Sequence, residues 1–126
     1  MAVEANPQEA ITAEVKRRNF VRAVMLAQQY HYPQDEVRHL QELALKQIAA
    51  EYRNALALRR LASEWGFSRA ELEAVLREVV AEHRARPGRS DLERRYDATT
   101  GKYLTLPEWV ERVLNIKDGH RALMKL

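Results

Sequence analysis

Apolar residues return at helical spacing along most of this chain. Val37, Leu40, Ala44, Ile48, Tyr52 and Ala55 step by three and four, and Leu72, Val75, Leu76, Val79 and Val80 repeat the pattern, so each set lines one face of a helix. Leu106, Trp109, Val110, Val113 and Leu114 predict a shorter amphipathic helix. From about Glu9 to Tyr30 the spacing is helical as well, but FVRAVMLA is apolar nearly all round. Such a segment suits a helix at the centre of its bundle or in a dimer seam.

Polar and special residues punctuate these runs. Asn6 and Pro7 signal a helix start, and Pro33 ends the first segment and opens the second, with Asp35 and Glu36 at the positive end of its dipole. No Gly or Pro follows until Gly66. A helix of roughly thirty residues is long for a small domain, so a break is expected near Asn54. Gly66 stops that run, and Ser68 with Glu71 forms the S-x-x-E capping box of the next helix, which ends near His83 to Arg86. Thr105 and Glu108 repeat the box, with Pro107 in the first turn and Asp118 and Gly119 closing the helix. Between them, Pro87 and Gly88 make a loop, and ATTGK between two Tyr-bearing segments predicts a hairpin from about Leu92 to Leu104 with a type I turn and a glycine bulge.

The expected fold is mainly α: four or five helices in a compact bundle, with one short β-hairpin near residues 92–104. Residues 1–8 read as a flexible lead-in, 9–119 as a single helical domain and 120–126 as a C-terminal tail. With 126 residues, 46% of them apolar and 31% charged, the chain suits one folded domain. Cysteine is absent, which removes disulfides, thiolate metal sites and cysteine nucleophiles. No stretch reaches the roughly 20 apolar residues of a membrane span, and the N-terminal region, with Glu4, Glu9 and Glu14, is unlike a leader peptide. A soluble cytoplasmic protein with no membrane partner is expected.

The stretch LASEWGFSRAELEAV, residues 61–75, carries the sharpest signal. Ala62 and Gly66 stand four apart, and Leu61, Trp65, Phe67, Leu72 and Val75 fall where a tight helix pair buries apolar side chains. It resembles the core of helix-turn-helix DNA-binding domains, and the resemblance extends over residues 55–105 if the hairpin is the wing of a winged-helix domain. The resemblance implies duplex DNA as a partner, with Arg69 and Arg77 as groove contacts and Arg94, Arg95 and Lys102 on the wing at the phosphates. A plain helix corner needs the same small and apolar positions. Ser68 to Glu82 carries two arginines against four glutamates, and Glu73 lies on the face that would meet the bases, an arrangement poorly suited to a polyanion. Net charge is only +3. Other basic residues cluster at Lys16, Arg17, Arg18 and Arg22, at Arg59 and Arg60, and at Arg84, Arg86 and Arg89.

Other chemistry is sparse. Glu36 and His39 form one E-x-x-H, where di-iron bundles need two with further glutamates, so no metal or other cofactor is expected. Ser63, Ser68 and Ser90 lack a nucleophile-elbow setting, and the four isolated glycines make no phosphate loop, so the chain is not expected to be an enzyme. Trp65, Trp109, Tyr52, Tyr96 and Tyr103 are expected in core and hairpin packing. Two readings remain: a small nucleic-acid-binding regulator, dimeric through the apolar first helix or the 106–114 helix, and a helical adaptor that binds a protein partner through a helix face without touching DNA.

Overall fold

The computed structural model describes residues 6–115. The chain divides into two compact units, with the boundary between Gln47 and Ile48.

The first unit holds α1 (Pro7–Lys16), α2 (Phe20–Gln29) and α3 (Gln34–Gln47). The Asn6 side chain accepts from the Gln8 amide at 2.8 Å and starts α1 two residues before the expected Glu9. The single helix expected from Glu9 to Tyr30 is two helices, broken at Arg18, whose φ is 63°. The Arg18 amide donates to Val15 O at 3.0 Å and the Asn19 amide to Glu14 O at 2.9 Å, the bond pair of a Schellman ending. Side chains secure this turn in place of a glycine. Buried Glu14 accepts from Asn19 Nδ2 at 3.0 Å and Arg22 Nε at 2.9 Å, and Gln47 Nε2 donates to Arg18 O at 2.8 Å. Asn19, chiefly, and then Arg22 hold the Glu14 carboxyl below its ordinary pKa against the opposing pull of burial. α2 ends in the same manner at His31, where φ is 55°. It packs against both α1 and α3, burying Phe20, Ala23, Val24 and Ala27 and leaving Met25 exposed.

The second unit opens with a π-helical turn, Ile48–Tyr52, and the expected break follows it: Arg53 has φ 47°, and Asn54 Oδ1 accepts from the Ala57 amide at 3.0 Å to start α4 (Ala55–Glu64). At Gly66, φ 73°, the amides of Gly66 and Phe67 donate to Ser63 O and Ala62 O, another Schellman ending. Ser68 and Glu71 form the full capping box of α5 (Arg69–Arg84). A 3₁₀ turn at Ser90–Leu92 leads to β1 (Arg95–Asp97) and β2 (Lys102–Leu104), antiparallel with Tyr96 opposite Tyr103. The turn between them is closed by Thr100 and Gly101 amides donating to Asp97 O, with Gly101 at φ 71°. The second capping box, Thr105 with Glu108, begins α6 (Leu106–Leu114). Leu58, Leu76, Val79, Leu106, Trp109 and Val110 are fully buried and form the core of this unit. The apolar stripe of the 106–114 helix, one of the two expected dimer seams, is therefore occupied within its own unit.

The fold is mainly α with a short hairpin, and six α-helices lie among the described residues. The count exceeds the expected four or five because Arg18 takes a left-handed turn within a run that lacks glycine and splits the first expected helix in two. The expected helix close at Asp118 and Gly119 and the tail 120–126 lie outside the described residues.

Candidate functional site

Helices α4 and α5 meet through Glu64–Arg69, and the turn itself is closed by short-range hydrogen bonds. Its short-range bonds include the two Schellman amides and the Ser68–Glu71 box, and no atom lies within 4 Å of where a Gly66 side chain would begin. The corner orients α5, so the direction of the α5 arginines decides what it presents.

Both face α6. Arg69 Nη2 donates to Leu114 O at the C-terminal end of α6, where the helix dipole is negative. Arg77 pairs with Glu111 of α6 and, at 3.4 Å, with Glu73 one turn back. Glu111 raises the Arg77 pKa, and Arg77 in turn lowers that of Glu111. Glu73, which would oppose bases in a groove-reading helix, is thus part of the α5–α6 contact. Besides these arginines, α5 exposes Ala70, Ala74, Glu78, Ala81 and Glu82, which supply no base-reading donors.

The hairpin gathers the other three candidates, and two of them are engaged. Arg94 Nη1 reaches Glu108 at 3.3 Å and Tyr103 O at 3.5 Å. Arg95 donates to Glu93 and to Glu51 O, both at 2.8 Å. Lys102 is exposed, and its ammonium makes no ion pair among the described residues. The structure therefore brings Arg94, Arg95 and Lys102 together on the hairpin and sets Arg69 and Arg77 apart, against α6.

The wider basic residues follow the same rule. Arg59 donates to Val113 O at 3.4 Å, and burial, then the neighbouring Arg69, pushes its pKa down. Arg84 and Arg89 clamp the fully buried Asp91, each at 3.2 Å. Burial raises the Asp91 pKa, but the two guanidiniums, Arg89 first, bring it below its ordinary value. Arg53 ties the hairpin to the start of α4 by donating to Leu104 O at 2.8 Å and Glu93 O at 3.2 Å. Burial, chiefly, lowers its pKa.

Aromatic placement corrects one expectation. Trp109 is core, and Tyr96 and Tyr103 pair across the hairpin as expected while staying 60 and 64% exposed, but Tyr52 lies outside the core at 66% exposed, with Leu56 51% exposed. Tyr96 and Tyr103 meet edge to face at 5.4 Å, as cross-strand partners do, without either being covered. Beside Tyr96 a groove of about 540 Å³ runs to Tyr52 and Leu56, with Arg53, Asp97 and Thr99 on its walls. The alternation of a two-stranded hairpin offers no sequence signal for which tyrosine face a helix covers. The separation of Tyr52 from Tyr96 in the chain concealed the patch.

Among the described residues no group of three or more His, Asp or Glu could hold a metal, and no helix is long and apolar enough to cross a membrane. Comparison with protein-family models, with curated proteins and with solved structures finds no match to this chain.

Proposed function

We propose that this protein is a non-enzymatic adaptor that binds a protein partner, with the exposed Tyr52–Leu56–Tyr96–Tyr103 patch as one contact surface. The observation that carries this reading is the contrast between charge and apolar surface in residues 48–115. Arg53, Arg69, Arg77, Arg94 and Arg95 are turned onto carbonyls and carboxylates of the same unit, while large apolar side chains face outward beside a groove. A tyrosine-rich patch with satisfied charges suits an interface core, where aromatic residues are enriched and free charges depleted. A polyanion instead rewards unpaired cations, because phosphate contact releases counterions only where a cation is available.

In a native lysate, the tagged full chain should capture one protein at near-equal stoichiometry, resistant to nuclease. A Tyr96→Ala/Tyr103→Ala variant should lose it at least tenfold, as removal of interface hot spots of about 1.4 kcal/mol or more requires. Recovery of nucleic acid alone, or capture indifferent to the tyrosines, would count against the proposal.

The helix-turn-helix regulator is the second reading, and one observation favours it. The order α4, corner, α5, hairpin is that of a helix-turn-helix followed by a wing, and Lys102 stands unpaired on that hairpin. In that reading Arg94 and Arg95 would leave Glu108 and Glu93 for phosphates, so binding would weaken steeply with salt.

A further inference from the structure

The second open surface lies in the first unit. α2 packs against both α1 and α3, and along the remaining side α1 and α3 border a trough of about 650 Å³. Its floor is Ile11 and Val15 from α1 with Leu40 and Leu43 from α3. Ile11 and Leu40 are buried, and Val15 and Leu43 are half-buried. On each wall the bordering residues run from Gln8 to Lys16 and from Asp35 to Leu43, two helical rows each about 12 Å long. A channel with two helical walls and an apolar floor matches the ridge of a third helix better than it matches a compact ligand.

The charges at its ends set the direction of that helix. The Tyr32 hydroxyl donates to Gln8 Oε1 at 3.1 Å, so the N-terminal ends of α1 and α3 lie together; Gln47 reaching Arg18 O joins their C-terminal ends. Asp35 and Glu36 stand at the first end and Lys16 at the other, all exposed and without an ion pair among the described residues. Most helices carry acids in the first turn and bases in the last. Only a helix antiparallel to α1 and α3 sets its basic last turn against Asp35 and Glu36 and its acidic first turn against Lys16.

We infer that the trough between α1 and α3 is a docking site for an amphipathic helix of a partner protein, about three turns long, antiparallel to α1 and α3, acidic at its start and basic at its end. Docking of this kind is helix-in-groove recognition, with apolar anchors at i, i+3 or i+4, and i+7. The inference rests on the adaptor reading in kind but uses residues 6–47, so loss of capture in the tyrosine variant and failure of this trough are separate outcomes.

The test uses two fluorescent helical peptides with the same apolar stripe, one with acidic first and basic last turns and its twin with the end charges exchanged, titrated into the full chain. The first should bind about tenfold more tightly, a preference that narrows with salt. Asp35→Lys/Glu36→Lys, at exposed positions, should reverse the order, and Leu43→Arg should abolish binding of both, with far-UV circular dichroism and melting confirming that each variant is folded. Equal affinities, binding that survives Leu43→Arg, or no binding of either peptide at about 1 mM would overturn the inference. Concentration-dependent self-association that Leu43→Arg removes would also overturn it, by making a second copy of this chain the occupant.

Discussion

The corners at Arg18 and Gly66 make the same two backbone hydrogen bonds by different means. At Gly66 the glycine takes the left-handed conformation without steric opposition, and the Ser68–Glu71 box follows at once. At Arg18 a residue with a side chain is forced into that conformation, and Glu14, Asn19, Arg22 and Gln47 converge to hold it. One turn is intrinsic to its own few residues; the other depends on contacts as far away as α3. The corner that resembles a DNA-reading motif therefore closes its backbone turn without a distant side chain, and the form of that turn carries no requirement for a partner.

The difference breaks most severely at Glu14. Glu14→Ala leaves Asn19 and Arg22 without their buried acceptor and should give the largest fall in melting temperature of the substitutions considered, with the loss confined to residues 6–47 in hydrogen exchange. The pH dependence has a fixed sign. Because the folded Glu14 pKa is depressed, its contribution is complete at neutral pH and is lost as pH falls below about 4, through the lowered folded value. Glu14→Gln should flatten that acid limb while leaving the part that belongs to Asp91, Glu108 and Glu111, whose pKa values are lowered as well.

At the other corner, Gly66→Ala meets open space, so its effect is backbone strain alone, about 1 kcal/mol by denaturant unfolding. A loss several times larger would mean that Gly66 is packed closely after all. Ser68→Ala removes the hydroxyl that accepts from the Glu71 amide at 3.1 Å and should lower stability by about 1 kcal/mol or slightly less. The smallest change should be a gain: His31→Gly relieves an exposed left-handed residue at the end of α2 and should add roughly 0.5 kcal/mol. If His31→Gly destabilises, a side-chain role for His31 must replace the backbone argument.

These corners also mark what was legible in the chain. Gly66, the two capping boxes and the ATTGK turn are written in neighbouring residues, and each was readable because its hydrogen bonds close within a few positions; the break near Asn54 was legible only from the length of its run. The break at Arg18 was not, since its cause includes Gln47, and a non-glycine left-handed residue carries no mark in sequence. The same limit applied to the candidate site. Arg69, Arg77, Arg94, Arg95 and Lys102 were identifiable as cations near the corner and hairpin, but the partner of Arg77 lies 34 residues away on α6 and that of Arg94 lies 14 away. Periodicity describes a helix face without saying what it meets. The trough and the tyrosine patch were hidden for this reason.

The central claim is that the charges around the corner serve the fold and leave its apolar surface to a protein partner. Titration of the full chain with generic duplex DNA in about 50 mM salt tests it most directly. No saturable binding is expected, and no change on Arg94→Ala/Arg95→Ala. Saturable binding that falls steeply with salt, and falls further when those two arginines are removed, would contradict it.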